Sequence, residues 1–177
     1  MKRLPVDPNV EVRGAVVLAV VEVMGAFRSV ALDILAKNEI PEPKPLAWYS
    51  LQCWLDSFDS IIKDVGPNTL HQIGRQVSST APIPPTITTL QQAYSELDGA
   101  YYSQHRGGDI GHYHYISTGK RSGTMISTTV YPTEFDRGIL MALAHRFEPD
   151  SLVDIQLDPN SETRQDGGTS CTFLIAW

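Results

Sequence analysis

The N-terminal part of the chain contains a long, almost uninterrupted run of apolar residues. No proline lies between Arg13 and Lys37, and Val, Ala, Leu and Met fill most positions from Val16 to Phe27. The length of the run favours a helix, although its Val-Val pairs also allow a strand over part of it. Because a helix that is apolar on every side must be covered on every side, this one is either central in the fold or covered by a partner chain.

Apolar residues at helical spacing predict three further helices, which are separated by prolines and a glycine. One begins at Trp48 and ends at Gly66, the next begins at Pro67, and the last runs from Thr86 to a point before Gly107. Their apolar stripes are Trp48, Leu51, Leu55, Phe58, Ile62 and Val65; Leu70, Ile73 and Val77; and Ile87, Leu90, Tyr94, Leu97 and Tyr101.

After residue 110 the apolar pattern changes to the period of two that is typical of strands. Strands are predicted over residues 111–117, 124–130, 152–157 and 171–177, with a hairpin loop at 119–123. One late helix lies between the second and third strands, with Thr133 as its cap and Asp136 completing a short capping box. The order predicts an α+β fold, in which N-terminal helices pack on a C-terminal antiparallel sheet with one late helix. Residues 1–12 form an N-terminal arm in this interpretation, and residues 13–177 form a single domain.

Composition excludes several functional classes. The chain has 177 residues, of which 42% are hydrophobic, and its net charge is −6. An acidic chain is a poor partner for nucleic acid, and two cysteines cannot make a disulfide framework or a cysteine-rich zinc site. No run reaches the roughly 18 apolar residues of a membrane span, and acidic residues and prolines follow the basic start, against a signal peptide. We therefore expect a soluble cytoplasmic domain.

Polar and aromatic residues are concentrated between Tyr101 and Tyr115, where three of the five histidines lie. On a strand, His112 and His114 point to the same side and could hold one metal ion, with a third ligand from His105, Asp109, His145 or a distant residue. The alternative is a polar strand face without a ligand. The glycines of residues 107–111 follow a helix and precede a strand, which is the wrong context for a phosphate-binding loop.

Three other positions allow both a structural and a functional interpretation. His71 lies beside an apolar stripe, as a boundary histidine does, but it could also be an axial haem ligand. Arg137 lies in the first turn of the late helix and faces either solvent or a ligand or acidic partner. Cys53 and Cys171 are most simply buried structural thiols, and the sequence shows no nucleophile arrangement of a known hydrolase type.

Several stretches resemble the 4-vinyl-reductase-like domains, which are related to haem nitric-oxide-binding domains and to TRAPP vesicle-tethering subunits. They are Trp48-Tyr49, Phe58, Ile61-Ile62, Val65-Gly66, Leu70 and Ile73-Gly74, then residues 131–139 with Phe147, and the ending at 167–177. Residues 105–113 resemble an uncharacterised bacterial branch of that group. The resemblance covers about residues 14–177, and it implies an α+β fold with a cavity between helices and sheet and dimerisation through helices.

Departures from the family pattern bear on cofactors. Haem-binding relatives carry a Tyr-x-Ser-x-Arg strand, whereas Tyr115-Ile116-Ser117 is followed here by Thr118 and Gly119. The bacterial branch tends to carry cysteine where this chain has Thr133 and Thr163, so a cysteine-based metal or redox site is not expected. The cofactor is left unknown.

These observations lead to the hypothesis of a non-enzymatic small-molecule-binding or sensor domain, most simply a homodimer. Its pocket would bind a small hydrophobic or anionic ligand, with aromatic walls for affinity and His and Arg groups to orient the ligand. The predicted lining residues are Trp48, Tyr101, His105, Arg106, His112, His114 and Arg137. The alternatives are a protein-interaction scaffold without a ligand and a metal-binding protein that uses the histidine cluster.

Overall fold

The computed structural model describes residues 6–177, with only the backbone described at Gln165. The α-helices are α1 (Gly14–Met24), α2 (Arg28–Lys37), α3 (Leu51–Asp64), α4 (Asn68–Thr80), α5 (Leu90–Ser95), α6 (Leu97–Ser103) and α7 (Thr133–Phe147). The strands are β1 (Glu11–Arg13), β2 (Trp48–Ser50), β3 (His105–Arg106), β4 (Tyr113–Gly119), β5 (Ser122–Ser127), β6 (Asp154–Leu157) and β7 (Cys171–Ala176). The predicted α+β class and the order of its main elements are confirmed.

The larger sheet is antiparallel, with strand order β4-β5-β7-β6. Side chains alternate across it, so that Met125 and Phe173 are fully buried on the inner face while Ile116 and Leu174 are exposed on the outer face. The late helix α7 packs on the inner face together with α5, and Tyr94 of α5 donates a hydrogen bond to the backbone oxygen of Leu140 over 2.9 Å.

The first part of the long apolar run is buried in the fold, which was one of the two interpretations of its sequence, whereas Phe27 near its end is 66% exposed. It is divided into α1, a 3₁₀ turn at Gly25–Phe27 and α2, and Gly25 has a positive φ of 46° that favours glycine. Val17, Val20 and Val21 are buried almost completely by the chain's own residues. By length and composition alone, Gly14–Lys37 could cross a membrane, and 39% of its most apolar window is buried within the protein.

A second, small antiparallel sheet was not predicted. Its strand order is β2-β1-β3, so β1 lies in the centre and pairs Glu11 with both Ser50 and Arg106. Val10 and Val12 are buried, and this part of the expected arm is therefore packed into the domain. Residues 1–5 lie outside the described residues. Residues 48–50 were predicted as the first turn of a helix but form β2, and Ser50 then caps α3 by accepting from the Cys53 amide.

Helices α4 and α7 cross at very short distance because both carry glycine at the crossing. A Cβ atom on Gly74 would lie 2.1 Å from the Phe135 oxygen, and one on Gly138 would lie 2.1 Å from the His71 oxygen. Only glycine permits backbones to approach so closely. The crossing fixes α7 against α4 on one side of the interior.

Two predictions about helix ends were wrong. The helix expected from Thr86 is divided into α5 and α6 at Glu96, and it begins at a capping box formed by Thr89 and Gln92. Asp136 and Thr133 do not cap α7, which has no side-chain cap. Both side chains are buried and point into the core, where Thr133 Oγ1 lies 3.0 Å from Cys171 Sγ.

Candidate ligand-binding cavity

A cavity of about 130 Å³ lies between the end of α4, the proline-rich segment 81–87, helices α5 and α6, and helix α7. Its wall is almost wholly apolar, because the helices turn their apolar stripes towards it. The apolar lining residues are Val16, Val77, Ala81, Pro82, Ile83, Pro84, Ile87, Ala93, Leu97, Ala100, Phe135, Ile139 and Leu143. This is the arrangement typical of a small-molecule site, with few polar groups in an apolar wall.

His105 supplies the polar end of the cavity, at the start of β3. Its Nδ1 lies 2.8 Å from the Tyr101 backbone oxygen and its Nε2 lies 2.8 Å from the Tyr131 hydroxyl. Because a carbonyl oxygen can only accept, Nδ1 carries the proton and donates it to Tyr101. A neutral ring then accepts at Nε2 from the Tyr131 hydroxyl, so both ring nitrogens are used within the protein.

Burial keeps these polar groups uncharged. Loss of solvent lowers the pKa of His105 to about 4, and the hydrogen bond to Tyr101 opposes this effect only in part. Burial also raises the pKa values of Tyr101 and Tyr131 well above the usual value for tyrosine. At neutral pH the deep end of the cavity is therefore polar but carries no charge.

A buried ion pair lies behind the cavity wall and is connected to it through Tyr113. The Tyr113 hydroxyl donates to Asp136 over 2.5 Å, and Asp136 accepts two contacts of 3.1 Å from the Arg164 guanidinium. Ser127 and Thr129 also donate to the Asp136 carboxylate, at 2.6 and 3.0 Å. Arg164 belongs to the segment between β6 and β7, so this network ties that segment to the cavity wall.

Helix α6 forms the rim of the cavity. Glu96 precedes its first turn, Ala100 is exposed one turn further on, and Gln104 follows its last turn. These residues are spaced by four, which places them on one face of the helix. Glu96 is the one Asp, Glu, Lys or Arg among the described residues that line the cavity.

Two of the predicted site residues, Tyr101 and His105, do line the cavity. Trp48 and Arg106 lie instead on the outer face of the small sheet. There the Arg106 and Arg13 guanidinium carbons are 4.5 and 5.0 Å from the centre of the Trp48 ring, and Arg106 pairs with Glu11 over 2.5 Å. These contacts are cation–π interactions of the sheet surface.

His112 and His114 are exposed and are not part of the cavity lining. His112 lies just before β4, with Nδ1 3.1 Å from an Asp98 oxygen and Nε2 3.3 Å from the Tyr102 hydroxyl. His114 lies opposite Ile126 on the sheet. Within residues 6–177, no group of three or more His, Cys, Asp and Glu side chains is placed to hold a metal ion.

His71 on α4 and Arg137 on α7 do not line the cavity. His71 is half-buried, and partial loss of solvent is the main cause that lowers its pKa. Arg137 pairs with Glu134 over 3.7 Å, one turn earlier on the same helix. Of the two thiols, Cys171 is fully buried and Cys53 is half-buried with its sulfur 3.7 Å from a Glu39 oxygen.

Sequence reasoning missed Tyr113, Tyr131 and Arg164 as residues of this region. Tyr131 follows a strand and precedes a helix, so no periodic pattern marks it as buried. Arg164 lies in a stretch that is otherwise a polar turn, and its partner Asp136 is 28 residues away. An arginine in a polar turn gives no sequence signal that it is buried.

Comparisons with solved structures identify the fold. No protein-family model matches the chain, and the search of curated proteins gave no match. The structure is similar to an H-NOX protein from S. oneidensis, with a TM-score of 0.70 and 12% identity over 93% of this chain and 95% of that one. It is also similar to an H-NOX protein variant from K. algicida, with a TM-score of 0.66, 14% identity and the same coverages, 93% and 95%.

A third similar structure is a variant of the T. tengcongensis H-NOX protein, with a TM-score of 0.65, 13% identity, and coverage of 93% of this chain and 96% of that one. These structures support the haem nitric-oxide-binding part of the resemblance seen in the sequence. They give no support to the vinyl-reductase or TRAPP part.

Some of these structures are described by Fe(II) or heme, so the fit of haem to this chain can be tested on its own residues. A histidine that ligates haem iron needs a free ring nitrogen facing the haem. His105 has none, and His71 lies outside the cavity. A cavity of about 150 Å³ holds one benzene molecule, and a haem macrocycle is several times larger than benzene. The described residues therefore do not fit haem. What the chain shares with the H-NOX proteins is its α+β fold.

Proposed function

We propose that this chain is a non-enzymatic domain that binds one small molecule with an apolar body in the cavity described above. The observation that carries the proposal is the cavity itself, an apolar space of about 130 Å³ with a neutral His105–Tyr131 pair at its deep end. Empty apolar cavities of this size are dry and accept molecules such as benzene. Every polar group at the deep end is already hydrogen-bonded, so affinity comes from apolar burial.

We expect this site to bind an anionic ligand weakly, although the sequence left such a ligand possible. No Lys or Arg lines the cavity among the described residues, and the one charged residue at the rim is Glu96. His105 does not supply a positive charge near pH 7, because burial lowers its pKa to about 4. A carboxylate or phosphate would therefore meet no opposite charge on the described residues that line the cavity.

The connection from Tyr113 to Asp136 and Arg164 supports a sensor role. Tyr113 contacts the cavity on one side and the buried ion pair on the other, so a ligand that displaces this ring also changes the anchor of the segment between β6 and β7. A homodimer and a ligand-free interaction scaffold stay predictions. The apolar helix α1 that suggested a partner chain is covered by the chain's own residues.

Binding can be tested by titrating benzene into isotope-labelled protein and following backbone amide shifts. We expect saturable shifts confined to residues around the cavity. Replacement Ala93→Leu places a larger side chain inside the cavity, since Ala93 is buried in its wall. This variant should abolish binding while it keeps the native circular dichroism spectrum.

The matched control is Ala36→Leu, the same replacement on the exposed side of α2 and away from the cavity. It should bind benzene like the original chain. Benzene shifts that persist unchanged in Ala93→Leu, or shifts scattered over the surface, would contradict the proposal.

A further inference from the structure

We propose that the cavity prefers apolar molecules that carry a primary or secondary amine, with the apolar body inside and the ammonium group at Glu96. This inference rests on the proposed function and adds the chemical class of the ligand. Its basis is the position of charge around the cavity. The deep end is neutral, and the one charged lining residue among those described is Glu96 at the rim.

The deep end of the cavity cannot hold a charged group. His105 has both nitrogens engaged, Tyr101 donates to the Ile110 oxygen over 2.8 Å, and Tyr113 donates to Asp136. A charge placed there would lose its water and gain no partner. A charged ligand must therefore bind with its charge at the rim.

The carboxylate at the rim has no cation within the described part of the chain. Glu96 is exposed, forms no ion pair with a described residue and does not cap α6 with its side chain. It lines the cavity and is also exposed, so this residue lies where the cavity meets solvent. An ammonium group there would keep part of its water and gain an opposite charge.

A second acceptor lies at the other end of the same rim. The Gln104 amide nitrogen donates to the Ser103 hydroxyl over 3.0 Å, which leaves the amide oxygen as an acceptor. Glu96 and Gln104 thus both present acceptors, and a ligand with N–H donors matches either end. No Lys or Arg lines the cavity among the described residues, and the nearby Arg146 guanidinium donates to the Ala81 backbone oxygen over 2.7 Å, at the end of α4 and not on α6.

The test uses three probes of nearly equal shape, namely benzylamine, benzyl alcohol and benzoate, titrated into the whole chain under amide-shift detection. We expect the order benzylamine, then benzyl alcohol, then benzoate. Because the ion pair at Glu96 is exposed, its effect is modest, and Glu96→Gln should weaken benzylamine binding about two- to fivefold. About 0.5 M salt should also weaken benzylamine binding to the original chain, because salt screens the charge of Glu96.

Two controls separate this inference from the proposed function. Benzyl alcohol should bind Glu96→Gln and the original chain equally, and Glu42→Gln, which changes an exposed glutamate away from the cavity, should leave all three probes unaffected. If benzyl alcohol binds but Glu96→Gln leaves benzylamine affinity unchanged, the amine preference is overturned and the cavity function stands. If none of the probes binds, the proposed function fails as well.

Discussion

At the scale of single residues, the interior holds two polar centres that are stabilised in different ways. His105 is neutral because burial disfavours its charged form, and its two ring nitrogens are satisfied by Tyr101 and Tyr131. Asp136 and Arg164 remain a charge pair because each satisfies the other and because hydroxyl groups complete the shell around the carboxylate. The two centres therefore respond differently to pH and to substitution.

The state of His105 predicts a loss of stability in mild acid. The unfolded chain takes up a proton near pH 6.5, whereas the folded chain takes it up only near pH 4. The unfolded state thus binds more protons between these values, and the free energy of unfolding should fall by about 3 kcal/mol as the pH is lowered from 6.5 to 4. Urea unfolding curves recorded at several pH values between 6.5 and 4 measure this change in the free energy of unfolding.

Removing the imidazole should remove this part of the pH dependence. His105→Gln should show a flatter profile between pH 6.5 and 4 than the original chain. His114→Gln, which changes a histidine exposed on the outer sheet face, should keep the slope of the original chain. An unchanged slope in His105→Gln would show that other groups cause the acid sensitivity.

The Asp136–Arg164 pair predicts a large effect of a small substitution. Asp136→Asn leaves the buried Arg164 guanidinium, only 6% exposed, without its opposite charge. Loss of one partner of a buried pair typically destabilises a protein by about 3–5 kcal/mol. The exposed pair of Arg121 and Glu148 provides the comparison, since Glu148→Gln should cost under about 1 kcal/mol in the same urea titration. Equal effects would argue against this account.

At the scale of secondary structure elements, the crossing of α4 and α7 sets the shape of the interior. Gly138→Ala would put a Cβ atom 2.1 Å from the His71 oxygen, so the two helices would have to separate. We expect a loss of about 1–3 kcal/mol in the free energy of unfolding, as for other overpacked interiors.

Gly99→Ala is the matched change on α6, where a Cβ atom would meet no atom within 4 Å. Because alanine is the better helix former, this variant should be more stable by about 0.5–1 kcal/mol. Thermal unfolding of the two variants would show opposite shifts. A neutral Gly138→Ala would mean that the crossing is not as tight as described.

Elements with a strong period could be predicted from the sequence, and elements defined by distant partners could not. The stripe from Leu51 to Ile62 and the hairpin of β4 and β5 carry their own periodic signal, and both were predicted. The three-residue strand β1 is too short for a period, and it exists because β2 and β3 pair with it, the latter from about 95 positions away. The sequence does not specify which strand is near which.

Only some of the predicted site residues line the cavity. Tyr101 and His105 were predicted as lining residues from the family resemblance and from the cluster of polar and aromatic residues around them, and both line the cavity. Arg106, His112 and His114 belong to the same cluster, but they lie on or beside strands and are exposed away from the cavity. Trp48, which was predicted from outside the cluster, lies on β2 and contacts Arg106. Clustering along the sequence does not report which side of a sheet faces the interior.

At the scale of the whole molecule, the fold is shared with H-NOX proteins while the residues of the interior differ in what they can hold. A fold sets where a cavity can form, and its side chains decide what enters it. We therefore expect that haemin added to the purified protein gives no absorption band of histidine-ligated haem. Such a band, lost in His71→Ala or His105→Ala, would overturn this expectation.

The glycine crossing of α4 and α7 also divides the cavity into two walls of different stiffness. The wall formed by α7 is fixed, because its backbone lies against α4 without room to slide. The opposite wall consists of the segment 81–87 and of two short helices joined at Glu96, and it contains no such glycine crossing. We therefore expect the cavity to discriminate more strictly against changes on the side of a ligand that faces α7 than against added bulk on the opposite side.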